Sequence, residues 1–530
     1  MKKKSVTKIL LSVMVLVVSV ALCACGGDKS TKSSETGNSS SEKTTETAAA
    51  SETEAAAEAS DASCLVFGMT QEVGSVDPHM DTDAATRGVL FNVFEGLVKP
   101  TSTGDIIPAV ASDYTISDDA TVYTFTLRDG ITFHDGNPVT VEDVKYSLER
   151  SAEIDGESSA LSAISDITIV DDKTIQLTLS EPNSEFIYNL SIAVLEQAND
   201  ADQSGNPIGT GPFKITGFAE GQYLELEKYE GYWNTELDYI DKAKFKFIAD
   251  AQTAFLELQA GTIDALQYLT YDQVEALSDD YNVIESTMML VHGFFLNNQY
   301  GPLQDERVRQ ALNYAVDRDA INDFLFNGKS RIIQTHAYPT ITAWYNADTE
   351  GTYSYDVEKA KELLAEAGYA DGFELEITVP SSYTQHVNTA EIIAEQLAAV
   401  GVTVKLNLVE WSTWLSDVYQ GRDYQSTIIG FDISSLSPAT WYKRYYSTSS
   451  NDFTNFADAD YDSVYEQALA TVDHEEKYEL YGQLQEIITD KAASVFIEDP
   501  ADFIAMNKKF TGYTTYPVSA IDLSLVKAAE

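Results

Sequence analysis

FELEITV at Phe373–Val379, VTVKLNLV at Val402–Val409 and STIIGF at Ser426–Phe431 are three apolar strands separated by sequence of helical period. NTAEIIAEQLAAV (Asn388–Val400) fills the first interval and STWLSDVY (Ser412–Tyr419) the second. Strands that alternate with helices predict parallel pairing through right-handed crossovers. In open parallel sheets, ligands sit beyond the carboxyl ends of the strands. Those ends are the corners Pro380–Tyr383, Glu410–Trp411 and Asp432–Ser434.

Outward from these strands the pattern changes twice. Upstream, Asp305 caps a helix Glu306–Val316 with Val308, Leu312, Ala315 and Val316 on one face, and a second helix spans Val357–Ala367. Downstream, helices Asp460–Ala470 and Glu475–Lys491 lead into a last strand, Ser494–Ile497. The earlier half opens with a strand at Cys64–Met69, a loop over Gln71–Thr82 and a helix over Ala84–Leu97. Residues 98–205 then read as a small antiparallel insert. In it, Asp129-Gly130 turns Tyr123–Leu127 back through Ile131–His134, Asp166–Val170 pairs with Thr174–Leu179, and a capping box at Thr140–Asp143 starts the helix Val141–Arg150.

At 530 residues the chain exceeds one ordinary core, so two or more lobes are expected. Residues 1–24 hold Lys2, Lys3, Lys4 and Lys8 and an apolar run Ile9–Leu22, too short to span a bilayer. This is an export signal, and Leu22-Cys23-Ala24-Cys25-Gly26 matches a bacterial lipoprotein cleavage site. Cys25 is then the lipid-modified N-terminus of an anchored protein. Without residues 1–24 the formal charge moves from −50 to 30 − 84 = −54, which excludes nucleic acid as a partner because phosphate binding needs a basic face. Residues 26–62 carry no aromatic side chain and read as a disordered tether. Cys64 is the only cysteine of the remaining body, so no internal disulfide is possible there.

Catalytic and metal motifs are missing. The six histidines never fall as a closely spaced ligand pair, and Asp458, Asp460 and Asp462 lack the glycine and glutamate that a calcium loop needs. No nucleophile elbow, P-loop or dinucleotide fingerprint occurs. Neither an enzyme, a cofactor nor a metal is expected. Capture of a solute fits better than its conversion.

The chain resembles the family 5 extracellular solute-binding proteins. Segments that carry the resemblance include Asn92–Leu97 (NVFEGL), Tyr123–Gly136 (YTFTLRDGITFHDG), Val141–Arg150 (VEDVKYSLER), Pro207–Phe213 (PIGTGPF), Asp305–Arg318 (DERVRQALNYAVDR) and Asp356–Gly368 (DVEKAKELLAEAG). The resemblance implies an α/β, two-lobe periplasmic-binding-protein-like clamshell with an extra β-rich subdomain in lobe one. Lobe one would be residues 64–288 plus 500–530, including the insert at 98–205, and lobe two residues 289–499. The implied function is a lipid-anchored receptor on the extracytoplasmic face of a bacterial membrane. It would take an organic solute, a peptide first of all, to an ABC permease. A surface hydrolase and a receptor for an amine, glycan or nickel complex remain open as alternatives.

Dipeptide-binding relatives hold the peptide carboxylate with an Arg after the first strand of lobe two and its ammonium with an Asp after the third. The corresponding positions here are Tyr383 and Ser434, so both charged anchors are absent. Asp432, two residues earlier and on the same face, is the expected substitute for the acid. Trp411, Trp441, Tyr442 and Met80 complete the expected ligand-contacting set, and His386 adjoins Tyr383.

Overall fold

The computed structural model describes residues 64–80, 83–155, 159–433, 435–450 and 452–529. The signal, Cys25 and the tether therefore lie outside the described residues, as does Ser434. Among the described residues no helix is long and apolar enough to cross a membrane.

Two sheets organise the chain. A seven-stranded sheet runs in the order Tyr281–Thr287, Ala501–Asn507, Ala265–Leu266, Cys64–Met69, Lys242–Phe247, Tyr223–Lys228, Phe213–Ala219. A six-stranded sheet runs in the order Arg331–Ile332, Ser494–Asp499, Leu290–Leu296, Ser426–Asp432, Phe373–Pro380, Val402–Val409. Phe373–Pro380 pairs in parallel with both Val402–Val409 and Ser426–Asp432, as the alternating sequence requires. Ser426–Phe431 is largely buried and reads as one apolar run, whereas edge strand Val402–Val409 places Thr403 and Leu408 outward. At Gly372 the backbone takes φ +78°, and a Cβ there would lie 1.8 Å from the carbonyl oxygen of Gly401, so only glycine admits this close approach before the first strand.

The chain passes between the sheets twice, and the two crossings lie side by side. Tyr281–Thr287 pairs antiparallel with Ala501–Asn507 in one sheet, while Leu290–Leu296 pairs with Ser494–Asp499 in the other. Between them the Met288 N–H donates to Pro500 O at 2.8 Å. The fold is an α/β two-lobe clamshell with this double crossing as its waist. A separate four-stranded antiparallel sheet, in the order Ala111–Ile116, Val122–Leu127, Thr174–Leu179, Ile164–Ile169, forms the β-rich insert.

Local readings needed four corrections. The helix expected over 84–97 ends at Leu90, because the Asn92 amide donates to Val89 O and Ile521 O and draws the chain out of the helix. Ile131–His134 does not return along Tyr123–Leu127; that strand lies between Ala111–Ile116 and Thr174–Leu179, and both its edges are taken. The helix expected from Asn388 begins at Thr384, one turn earlier, which brings His386 into its first turn. The segment after Trp411 winds as a π-helix over Trp414–Gln420, which seats the Trp414 ring in the core.

Candidate functional site

The parallel register pairs Pro380 with Val409 and Thr378 with Thr427, so the three strands end on one edge of their sheet. Leu290, the first residue after the crossing, pairs with Asp432 on that edge. The corners therefore adjoin the waist. Tyr383 is 43% exposed and Trp411 40%, with ring centroids 5.5 Å apart. Trp411 stacks at 5.1 Å on Trp414, whose buried indole N–H donates to Thr427 Oγ1 at 2.9 Å. An exposed aromatic pair is thus mounted on a fixed buried ring.

Two adjoining cavities lie where the lobes face one another. The hinge-side cavity, about 260 Å³, is walled by Met69, Tyr268, Ser286–Met289, Asp502, Tyr513 and Tyr516 of lobe one and the waist, and by Asp432 and Ile433 of lobe two. No lysine, arginine or histidine belongs to its wall among the described residues. Burial pushes Asp502 up to about 6, against the opposing N–H groups of Phe503 and Tyr268. The second cavity, about 380 Å³, shares Ile433, Val518 and Ser519 with the first and extends to Phe94, Glu95, Lys99 and Tyr188. Glu95 is fixed there by Lys99 (3.2 Å), Tyr232 (2.8 Å) and Trp233 (2.8 Å).

A line of buried polar groups joins the first corner to the waist. Tyr383 packs on His386 with centroids 5.3 Å apart, His386 Nδ1 meets His292 Nε2 at 3.2 Å, and His292 Nδ1 meets Glu498 Oε1 at 3.3 Å. Burial holds both imidazoles down at about 3 and pushes the Glu498 carboxyl up to about 8. Next to it, the buried Asp499 carboxylate accepts Thr287 Oγ1 at 2.7 Å and the Leu290 N–H at 3.0 Å, tying together the strands on either side of the waist. Burial pushes Asp499 up to about 7.

Tyr383, Trp411 and Asp432 share the sheet edge next to the waist, and Asp432 is on the cavity wall. Met80 is 61% exposed, while its neighbours Pro78 and His79 line the larger cavity. Trp441 and Tyr442 correct the expectation. The helix Pro438–Tyr442 turns both rings into the core of lobe two, where Trp441 is 3% and Tyr442 0% exposed. Trp441 donates its indole N–H to Ser435 O at 2.7 Å, and Tyr442 stacks on Tyr481 at 5.6 Å. Histidines far apart in sequence also meet, since His292 and His386 stand 4.9 Å apart. The sequence alone assigns no role to Glu498, Asp499 or Asp502. For Glu498 and Asp499 the signal is the run Val495–Ile497 passing straight into Glu-Asp-Pro, which puts acids where the strand is fully buried; Asp502 lies in the next strand and has no such signal.

Residues 105–453 match the model of the bacterial extracellular solute-binding proteins, family 5, middle. The dipeptide-binding protein of Escherichia coli K12 is 29% identical over 458 residues, covering 78% of this chain and 85% of that relative. AgaA of A. tumefacien R10, solved in complex with agropinic acid, is 30% identical with a TM-score of 0.64, covering 88% of this chain and 99% of AgaA. HbpA2 of Haemophilus parasuis shares the fold with a TM-score of 0.81 at 24% identity, over 88% of this chain and 100% of HbpA2. These likenesses span nearly the whole described fold, and the chain belongs to the family 5 bacterial extracellular solute-binding proteins.

Proposed function

We propose that this chain is a lipid-anchored receptor that takes an amine-bearing organic solute, most simply a peptide, between its lobes and delivers it to an ABC permease. One observation carries the choice of ligand: Asp432 stands at the end of its strand on a cavity wall that holds no cation among the described residues. A carboxylate that is to be enclosed needs a positive partner, and a ligand ammonium supplies one. Tyr383 and Trp411 add ring faces at the two neighbouring corners. Lobe closure is then a population shift toward the form that encloses the solute.

Likeness to a dipeptide-binding protein supports the peptide reading, and likeness to a protein solved with agropinic acid keeps a non-peptide solute in view. Anchoring through Cys25 rests on the sequence Leu22–Gly26. Mass spectrometry of small molecules that co-purify with the protein is the test. An intact peptide or amine supports the receptor; a sugar or anion without a basic nitrogen refutes the role of Asp432. Hydrolysis products recovered from a peptide offered intact would restore the hydrolase reading.

A further inference from the structure

We propose that His386, packed against the exposed Tyr383, is a ligand-binding residue, that the proton on its Nε2 is set by a relay from Glu498 through His292, and that ionisation of Glu498 turns this donor into an acceptor. The ligand-contact part rests on the cleft reading above; the relay stands on its own geometry.

Each link of the chain holds one proton. His292 spends both ring nitrogens, Nδ1 on Glu498 and Nε2 on His386. If Glu498 is a neutral acid, its O–H donates to His292 Nδ1. His292 Nε2–H then donates to His386 Nδ1, and the remaining proton of His386 sits on Nε2. If Glu498 is a carboxylate, every bond reverses. His292 Nδ1–H donates to Glu498, His386 Nδ1–H donates to His292, and His386 Nε2 is a bare lone pair. The passage from the first state to the second releases one proton, from His386 Nε2 to solvent, while the others shift along the chain. The tautomer of one histidine is set by the bond the other makes.

The first state is the one the surroundings favour at neutral pH. Glu498 Oε2 has no hydrogen-bond partner, which a carbonyl oxygen tolerates far better than a carboxylate oxygen does. Among the described residues the groups that face Glu498 add no cation: they are His292, the Asp499 carboxyl and the Ser330 hydroxyl, whose pull toward the carboxylate is outweighed by burial. Arg331, on the paired strand, turns instead to Glu350 at 2.5 Å, and Arg318 spends its guanidinium on Phe496 O and Asn313. At the other end, His386 lies in the first turn of the helix Thr384–Ala398, which has no side-chain cap at Tyr383. The positive end of that helix favours an electron-rich group at the same place. The ligand atom recognised there is a hydrogen-bond-accepting oxygen.

The experiment is nitrogen NMR of the mature chain labelled at histidine, followed from pH 6 to 9.5, with the His386 signals assigned through His386→Gln. His292 and His386 should both be Nε2–H tautomers at pH 6 and convert together to Nδ1–H in the alkaline range. In Glu498→Gln, whose amide can still donate to His292, both should stay Nε2–H throughout. An Nδ1–H tautomer of His386 at pH 6, or an unchanging tautomer in the unsubstituted chain to pH 9.5, overturns the relay. The second readout is calorimetry with an equimolar library of tri- to pentapeptides. Between pH 6.5 and 9.5 binding should weaken about tenfold more in the parent than in Glu498→Gln, the worth of one hydrogen bond, because loss of the peptide's own ammonium charge is common to both chains. Binding with fixed tautomers refutes the relay alone. Tautomers that convert in a chain binding no peptide refute the peptide receptor and leave the relay standing.

Discussion

Replacing Lys477 by Met tests how the β-rich insert is fastened to lobe two. Lys477 Nζ lies 2.8 Å from Glu185 Oε1, and the two side chains are only 7% and 5% exposed. Glu185 Oε2 accepts Ser437 Oγ at 2.9 Å, and Lys477 also donates to Ser184 O at 3.3 Å. At that separation the gross attraction is roughly 6 kcal/mol for an effective dielectric constant near 20. Desolvation of both ions offsets most of it, so the pair as a whole adds little net stability. Breaking it is different. Met preserves the stem but leaves the Glu185 carboxylate buried with Ser437 as its remaining partner, which costs about 3–5 kcal/mol. Glu185→Gln with Lys477→Met removes both charges and should recover most of that loss. Urea unfolding of the single and double variants at pH 7 measures the coupling. A single variant within about 1 kcal/mol of the parent would show that the pair is not closed off from water as described.

Asp432→Asn should weaken an amine-bearing ligand by ~1.5–3 kcal/mol in calorimetry, the scale of a hydrogen bond to a charged group, and unchanged affinity would mean that Asp432 does not meet the amine. Gly372→Ala forces a Cβ onto the Gly401 carbonyl oxygen at positive φ and should lower thermal stability by about 3 kcal/mol or more; a melting curve like the parent's would refute the close approach. Glu498 binds its proton more tightly when folded, with its carboxyl raised to about 8 from the usual 4.5. The folded state therefore holds more protons between these values, and stability is lost as pH rises through that window. Glu498→Gln abolishes this loss, so its advantage over the parent should grow from pH 5 to 8 by at most about 1.4 kcal/mol per pH unit. A constant difference across that range would contradict the assignment. Asp499, raised to about 7, keeps part of the same slope in both chains.

The three apolar strands and their corners were legible in the sequence because period-two and period-3.6 patterns survive wherever one face is buried. Asp432 ends the third strand and Tyr383 and Trp411 lie just beyond the first two, so their places follow from where the strands stop, but of the three only Asp432 lines either cavity. Trp441 and Tyr442 were misread because an aromatic pair after a corner looks alike whether it faces a cleft or a core; only the turn of the short helix Pro438–Tyr442 decides it. His292 and His386 lie 94 residues apart and meet only through strand order, so no spacing rule could pair them. The Glu185–Lys477 pair is 292 residues apart and joins the β-rich insert to lobe two. The early end of the first helix escaped because Asn92 bonds to Ile521, 429 residues away, and tertiary contact overrode local propensity.

Small-angle scattering of the mature chain, with and without a saturating co-purified or library-selected peptide, tests the central claim of two lobes that shut on a solute. A smaller radius of gyration with the peptide, restored when the peptide is dialysed away intact, is the predicted result. An unchanged scattering curve at full occupancy would contradict it.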